Sequence, residues 1–476
     1  MASRATFPTI GNISRISIIT LGRAPMVALM STPSPRPGEL SLSPVYPFNQ
    51  PGEPIKLYAG PIDGLSSTEV AGVVELTCGP RLSLDWKVEG GDFIDFAFRS
   101  DVSLVLHRQD GNMQLQGVPR DNDGGWSNGA VFGDADAPLK RIVAHWFNVP
   151  RLRGSVDLKQ ETSDGAYSWQ GRARWRFETG GWKITLDVRP DHSDVWADFH
   201  GSQIYVMTHV MELCRADGSS FTAHQAEPVM SALHVGLSFA LGQWVAPMLP
   251  VGLGEQGEIL WEDWRSLHCD PAQRRGSAWW YEQETDSLED FLARAIAEFV
   301  DPARRAALRL QMMFAITATV DRGFVEQRIT SAAAGLEHIM WQNLVLSGKL
   351  TKQEYESRAW PAARLLRKAL AEAKIPVDIP DDLLPTVDRY VKKRRSLYGE
   401  NLDCPDVVTR MRNRIVHPKE DQAELYELEG LVTEVWLAAR HYLTLLILNS
   451  VGYRGIYRDL RKISGWVGDV GTVPWS

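Results

Sequence analysis

The chain has 476 residues, which is enough for two to four domains that each bury a core. Its 51 Lys and Arg residues stand against 59 Asp and Glu residues, and the formal net charge of −8 excludes an overall basic coat for nucleic-acid binding. The four cysteines form no Cys-x-x-Cys pair, which argues against a structural zinc site or a disulfide framework. We therefore predict a cytoplasmic protein with no bound metal or cofactor.

Residues 1–54 are predicted to be a flexible leader and linker. No acidic residue precedes Glu39, and the first part of the leader carries four arginines together with many Ser and Thr residues. Transit peptides and disordered leaders share this composition, and a true start at Met26 or Met30 is a further alternative. The segment Ser31–Pro54 is rich in Pro, Ser and Gly, which is typical of a linker or an extended arm.

Residues 55–300 are predicted to form a β-rich domain. Apolar or alternating runs of strand length recur here, separated by Gly, Asp and Asn residues, as in Val73–Cys78, Phe93–Phe98, Val102–Leu106 and Arg172–Phe177. Roughly a dozen such strands favour a sandwich or a strongly curved antiparallel sheet. Four tryptophans are expected to fill its core rather than form a ligand cage, namely Trp261, Trp264, Trp279 and Trp280. An exposed sensing surface is the alternative.

The hydrophobic period changes near Ser287–Asp290, a segment typical of a capping box at a helix start. Residues 301–476 then predict an all-α domain, so the whole chain is assigned to the α+β class. Chain breakers divide this part into predicted helices at about 303–320, 325–348, 352–373, 381–396, 405–417 and 422–449. The longest apolar run, Tyr442–Val451, is shorter than the about 18 residues of a membrane span, so no transmembrane helix is predicted.

A short polar segment, Arg412–His417, ends the predicted helix 405–417 and is followed by Pro418. Asn413 and His417 are four residues apart and share a helix face, and the long Arg412 side chain reaches the same side. Pro418 disfavours an α conformation at His417, which predicts an imidazole at the helix C-terminus. An ordinary capped helix is the alternative, because Arg and His recur at this spacing by chance.

These three side chains are suited to RNA cleavage without a metal. Arginine stays protonated and binds phosphate oxygens with two donors, and histidine exchanges a proton near neutral pH. RNA supplies its own nucleophile, the 2′-OH. We therefore predict Arg412, Asn413 and His417 as catalytic residues, with His417 as general base or acid and Arg412 stabilising charge on the phosphoryl oxygens.

Two further features near this segment are candidates for RNA binding and support. A basic run with interleaved tyrosines predicts contacts to an RNA backbone through Lys392, Lys393, Arg394, Arg395 and Arg410, although a solvated helix face explains such a run equally well. Glu337 lies on another predicted helix and can orient Arg412 by a charge-assisted pair; an ordinary surface carboxylate is the alternative. His338 and His441 are expected to be packed or exposed side chains rather than ligands.

The segment Arg412–His417 resembles the Arg-x(4–6)-His signature of HEPN domains, in which a polar residue such as Asn commonly follows the Arg. The resemblance extends over the helices from about 303 to 460 and includes Gly452–Tyr457 after the last long helix. This combination is similar to the HEPN domain of ApeA-like bacterial abortive-infection proteins. The β-rich region is similar to their N-terminal domain at the level of pattern, whereas the leader without acidic residues is a departure that the resemblance does not assign.

The resemblance implies an anti-phage endoribonuclease that works as a homodimer through its HEPN domain. It also implies that the N-terminal domain senses infection, through a phage-derived trigger, or restrains the nuclease. Two alternatives remain at this stage. The helical domain can be catalytically silent and serve dimerisation or partner binding, and the β-rich domain can be a carbohydrate-processing enzyme, although the sequence pairs none of its acidic residues.

Overall fold

The computed structural model describes residues 38–65, 70–89, 100–121, 123–161, 167–197, 204–272, 278–282, 284–319, 323–417, 423–462 and 470–476. Within the chain, residues 38–476 form one compact unit. The fold is mixed, with a β-rich N-terminal part that is partly barrel-like and a helical C-terminal part, in agreement with the predicted α+β class.

The described residues form sixteen strands in two sheets. In chain order they are β1 (Glu39–Leu40), β2 (Ile55–Asp63), β3 (Val70–Cys78), β4 (Leu82–Val88), β5 (Val102–Arg108), β6 (Gly111–Pro119), β7 (Gly124–Gly133), β8 (Arg141–Phe147), β9 (Val156–Glu161), β10 (Tyr167–Thr179), β11 (Trp182–Val188), β12 (Met207–Arg215), β13 (Ala246–Leu253), β14 (Ile259–Asp263), β15 (Ile456–Arg458) and β16 (Val470–Thr472). Fourteen of them form one sheet in the order β1-β9-β10-β11-β12-β8-β13-β14-β7-β4-β3-β2-β5-β6.

One end of this sheet closes on itself. Because β6 also pairs with β7, the six strands β7, β4, β3, β2, β5 and β6 form a barrel, and the remaining strands continue from β7 as an open sheet. The prediction of a strongly curved antiparallel sheet is therefore close to the observed arrangement. Of the strands predicted by name, Val73–Cys78, Val102–Leu106 and Arg172–Phe177 lie within β3, β5 and β10, and Phe93–Phe98 lies outside the described residues.

The described residues also form ten α-helices. They are α1 (His192–Ala197), α2 (Ala223–Leu241), α3 (Thr285–Phe299), α4 (Pro302–Thr319), α5 (Val325–Trp341), α6 (Lys352–Tyr355), α7 (Ala362–Glu372), α8 (Pro385–Tyr398), α9 (Cys404–Val416) and α10 (Leu431–Ser450). One π-helical turn, Gln342–Leu346, continues α5, and a 3₁₀ turn, Ala423–Tyr426, precedes α10.

The open sheet separates two hydrophobic cores. In β8, alternate side chains point to opposite faces, as expected for a strand. Ile142 and Trp146 pack with α2, α3 and the helical part, whereas Val143 and Phe147 pack with the side chains inside the barrel. The predicted core tryptophans are all buried: Trp264 lies in the barrel core, and Trp261, Trp279 and Trp280 lie in the core shared with the helices.

The sequence prediction missed α2, a 19-residue helix inside the part predicted to be β-rich. Its start carries a capping box, in which Thr222 Oγ1 accepts the Gln225 N–H at 3.2 Å and Gln225 Oε1 accepts the Thr222 N–H at 3.1 Å. It ends at Gly242, whose φ of 68° is the left-handed conformation that favours glycine. The Thr-x-x-Gln pattern was therefore a usable signal for this helix.

Several helix boundaries were also wrong. The capping box predicted at Ser287–Asp290 does not form; α3 begins at Thr285, where the Trp280 indole donates to the Glu284 carbonyl oxygen at 2.8 Å. The predicted helix 352–373 is divided into α6 and α7, because Pro361 caps α7 with an extended backbone. The predicted helix 422–449 is divided at Gly430, which has a φ of 86°.

The described part of the leader is an extended arm. Residues 38–54, here called the arm, run from β1, which pairs in parallel with β9, to the start of β2. The arm is packed against buried polar groups: the Leu42 N–H donates to Asp187 Oδ2 at 2.7 Å, and the Tyr46 hydroxyl donates to Glu262 Oε2 at 2.8 Å. These contacts disagree with the flexibility predicted for this part of residues 1–54, because the composition does not reveal tertiary partners.

Helix α10 is longer and more apolar than the candidate run Tyr442–Val451 indicated. By length and composition Leu431–Ser450 passes as a possible membrane span, but 78% of its apolar 18-residue window is buried inside the protein. It packs against α4, α5, α8 and α9 as the central helix of the helical part. The position of α10 therefore explains its apolar character without a membrane.

Candidate active site

The start of α9 is fixed by a capping box and an ion pair to α7. Asp403 Oδ1 accepts the Asp406 N–H at 3.0 Å, and Asp406 Oδ2 accepts the Asp403 N–H at 3.2 Å. The Arg367 guanidinium of α7 contacts both carboxylates. On the inner face of α9, Val407 and Met411 are buried, so the opposite face carries the polar residues.

Helix α9 ends where the sequence predicted. The last helical residue is Val416, and His417 has an extended backbone with φ −111° and ψ 118°. Its backbone N–H donates to the Asn413 carbonyl oxygen at 2.9 Å, and its side chain is exposed. The prediction that His417 leaves the helix at its C-terminus is confirmed, and Pro418 lies outside the described residues.

Arg412 is oriented by two acceptors. Its Nη2 forms an ion pair with Glu337 Oε1 of α5 at 2.7 Å, and its Nη1 donates to Asn413 Oδ1 at 3.0 Å. The side chains of Arg412 and Glu337 are 24% and 46% exposed, so water still reaches the pair. The contact predicted between Glu337 and Arg412 is therefore present, and Asn413 lies beside the guanidinium. A small cavity between α5, α7 and α9 is rimmed by these three side chains.

A buried carboxylate, Glu424, was not predicted from the sequence. Its side chain is 1% exposed and accepts a hydrogen bond from the Tyr390 hydroxyl at 2.6 Å. Arg410 Nε donates to Oε1 at 2.9 Å, Arg414 Nη2 contacts Oε2 at 2.5 Å, and Arg394 Nη1 lies 3.6 Å from Oε1. We call these five residues the Glu424 cluster.

The Glu424 cluster joins three segments. It connects the 3₁₀ turn Ala423–Tyr426 to α8 and α9, on the side of α9 away from Glu337. Burial disfavours the charged carboxylate, but the Tyr390 hydrogen bond and the charges of Arg410, Arg414 and Arg394 outweigh burial and lower the pKa of Glu424. No local motif marks this residue, because its partners are 10 to 34 residues away in the sequence.

The predicted RNA-binding cations are compensated by neighbouring acceptors. Arg394 and Arg410 share Glu400, with N···O distances of 2.9 and 3.0 Å. The other three partners are Asp388 for Lys392, Glu427 for Lys393 and Asn401 for Arg395. Most of the basic side chains of α8 are therefore already engaged in ion pairs. The role of this run in RNA binding stays a prediction.

The two histidines that were not expected to act as ligands are packed side chains. His338 is half-buried, and its Nδ1 lies 3.3 Å from Gln311 Nε2. His441 is buried in α10, 3.3 Å from Asp459 Oδ1, and burial together with the Arg461 charge lowers its pKa to about 3. Among the described residues, no group of three or more His, Cys, Asp and Glu side chains has an arrangement that could hold a metal ion.

Comparison with known proteins gives matches over both parts of the chain. The model of the YopA central domain matches residues 134–275, which span β8 to β14, and the model of the YopA C-terminal domain matches residues 301–472, which contain the candidate site. The chain is 27% identical over 442 residues to the SPbeta prophage-derived uncharacterized protein YopA of Bacillus subtilis (strain 168), covering 89% of this chain and 95% of that protein. No solved structure matches.

The similarity to the prophage protein extends over nearly the whole length of this chain. The matched models carry the name YopA and not HEPN or ApeA. The resemblance to HEPN domains therefore stays a prediction, carried by Arg412–His417 and its helical setting.

Proposed function

We propose that this protein is a metal-independent HEPN endoribonuclease that acts in anti-phage abortive infection. The observation that carries the proposal is the arrangement at the end of α9. A guanidinium oriented by a carboxylate of another helix lies beside an exposed amide, and an exposed imidazole follows one turn later. A fixed cation and an accessible proton-transfer group are the requirements of RNA cleavage through the 2′-OH.

In the proposed reaction the ribose 2′-oxygen attacks the adjacent phosphorus. A base removes the 2′-OH proton, the P–O2′ bond forms, and the P–O5′ bond breaks as an acid protonates the leaving 5′-oxygen. The products are a 2′,3′-cyclic phosphate and a 5′-hydroxyl. Arg412 stabilises the charge that builds on the phosphoryl oxygens, and Asn413 positions the phosphate or the imidazole. One imidazole cannot be base and acid in the same step, so a homodimer that pairs two His417 side chains in one cleft completes the reaction.

The test is cleavage of RNA by the purified full-length chain. We expect His417→Ala and Arg412→Ala each to abolish cleavage, and EDTA to leave it unchanged. His224→Ala and Arg364→Ala are matched controls, because both residues are exposed and lie outside the site. Retained cleavage in both site variants would refute the assignment of the site, and loss in EDTA with recovery in Mg²⁺ would refute the metal-independent mechanism.

The biological setting follows from the same proposal. The prophage origin of the similar Bacillus subtilis protein supports a role in conflict between phage and host. We infer a cytoplasmic protein without membrane attachment, in which the β-rich part receives a phage-derived trigger and restrains the nuclease until it binds. Sequencing of RNA ends after induced expression tests the activity and identifies the cleaved RNA together.

A binding module without catalysis is the second candidate. The observation that favours it is the compensation of the predicted RNA-binding cations by Asp388, Glu400 and Glu427. In that case the helical part serves dimerisation or partner recognition. Growth arrest on induced expression that is lost in His417→Ala supports the nuclease, whereas arrest that persists in His417→Ala favours the binding module.

A further inference from the structure

Two aromatic side chains lie next to the carboxylate that orients Arg412. Trp341 is the last residue of α5, one helical turn after Glu337 and on the same face. Tyr355, at the end of α6, packs edge-on against Trp341 with ring centroids 5.2 Å apart and an interplanar angle of 85°. The Tyr355 hydroxyl donates to the Glu337 carbonyl oxygen at 3.4 Å. We call Trp341 and Tyr355 the aromatic pair.

The hydrophobic core does not account for Trp341. Tyr355 packs against the core, but Trp341 is not among the buried or partly buried side chains that form it or pack on it. Its side chain is only partly buried, and no described residue accepts a hydrogen bond from its ring N–H. A large aromatic ring that stays partly exposed to water is suited to stack on an unpaired base.

The backbone around Trp341 is also unusual. Directly after Trp341 the helix widens into the π-helical turn Gln342–Leu346, and such single turns recur at functional sites because they re-aim side chains. The charge of Glu337 reaches Tyr355 as well, since burial and this charge raise the Tyr355 pKa to about 12. The aromatic pair therefore lies beside Glu337, whose carboxylate pairs with Arg412.

We propose that the aromatic pair stacks on an unpaired nucleobase of the RNA whose phosphate is held by Arg412. This inference rests on the proposed nuclease function and names a positioning surface for its substrate. One turn of α5, about 5.4 Å, separates the positions of Glu337 and Trp341. A phosphate at Arg412 and a base of the same or the next nucleotide at Trp341 are compatible with that separation. The site therefore selects single-stranded RNA over a duplex, because stacked and paired bases cannot reach Trp341.

The experiment uses the full-length chain and a labelled single-stranded oligonucleotide with 2′-O-methyl ribose, which cannot be cleaved through the 2′-oxygen. Binding is measured by fluorescence anisotropy for the wild type, Trp341→Leu, Trp341→Phe and the control Trp244→Leu, which changes another partly buried tryptophan in the β-rich part. We expect Trp341→Leu to weaken binding by about 10- to 100-fold and Trp341→Phe to restore most of it. An oligonucleotide without bases should bind the wild type and Trp341→Leu equally.

Wild-type affinity in Trp341→Leu, an equal loss in Trp244→Leu, or no binding of the oligonucleotide by the wild type would overturn the stacking surface. Cleavage assays test the nuclease proposal independently of the stacking surface. If the wild type cleaves RNA and Trp341→Leu has an unchanged KM, the stacking surface is wrong and the nuclease stands. If the wild type binds through Trp341 but does not cleave RNA, the stacking surface stands and the nuclease is wrong.

Discussion

Replacement of the buried carboxylate Glu424 should strongly destabilise the helical part. Glu424→Gln keeps the size of the side chain and a hydrogen-bond acceptor for Tyr390, but it removes the negative charge that faces three arginines. The side chains of Arg394, Arg410 and Arg414 are only 13%, 26% and 18% exposed, so water screens their positive charges poorly. The variant therefore leaves buried positive charge without its partner.

The expected magnitude follows from this burial. Removal of one partner of a buried ion pair costs about 3–5 kcal/mol. Because Glu400 still neutralises part of the charge of Arg394 and Arg410, we expect the lower end for Glu424→Gln, about 3 kcal/mol, and the upper end for Glu424→Ala, which also leaves the Tyr390 hydroxyl without its acceptor. Against a typical free energy of unfolding of about 5–15 kcal/mol, this loss is large.

The assay is urea unfolding at pH 7, followed by tryptophan fluorescence and circular dichroism. Glu427→Gln is the matched control, because Glu427 lies three residues away and its one ion pair among the described residues is with Lys393; the two side chains are 23% and 44% exposed. Because neither side chain of this pair is buried, the pair contributes about 0–1 kcal/mol, whereas Glu424 is 1% exposed. Equal losses in Glu424→Gln and Glu427→Gln would refute the argument that burial decides the effect.

Three further predictions concern α5 and His145, a buried histidine of β8. Glu337→Gln should lower the free energy of unfolding by less than about 1 kcal/mol, because water reaches its pair with Arg412. It should nevertheless reduce the cleavage rate at least about 10-fold, because the Arg412 guanidinium is no longer held in place. An unchanged cleavage rate would contradict the orienting role of Glu337. Burial lowers the pKa of His145 to about 4. Below about pH 6.5 the unfolded chain therefore binds a proton at this residue that the folded chain does not bind. The free energy of unfolding then falls by up to about 1.4 kcal/mol per pH unit down to about pH 4. Urea unfolding at several pH values measures this slope of the unfolding free energy against pH, which should be shallower in His145→Gln. An unchanged slope would mean that other groups cause the loss of stability in acid. Gly335→Ala places a methyl group 2.7 Å from Leu443 Cδ2 of α10 and 3.0 Å from Phe314 Cβ, and should lower the free energy of unfolding by about 1–3 kcal/mol through overpacking, measured by thermal unfolding. Wild-type stability would mean that the Leu443 side chain rotates away without cost.

The sequence by itself determined the class of most elements and the end of α9. Periodic apolar residues predicted the helices from α4 onward, and alternation predicted β3, β5 and β10, because these signals depend on neighbours within one element. The effect of Pro418 on its neighbour was enough to predict that His417 leaves the helix. The charge-assisted contact between Glu337 and Arg412 could also be predicted from the sequence, because both residues lie on amphipathic helices of one domain.

Only the tertiary structure decided which distant groups meet. The pairing of β4 with β7 in the barrel and the packing of the arm against Asp187 and Glu262 depend on contacts between residues far apart in the chain. The same holds for Glu424, whose local sequence is that of an ordinary surface acid but whose partners come from α8 and α9. Burial and charge compensation are sums over such long-range contacts, so no local pattern contains them. The candidate site is therefore a segment that the sequence identifies, held in place by partners that only the fold brings to it.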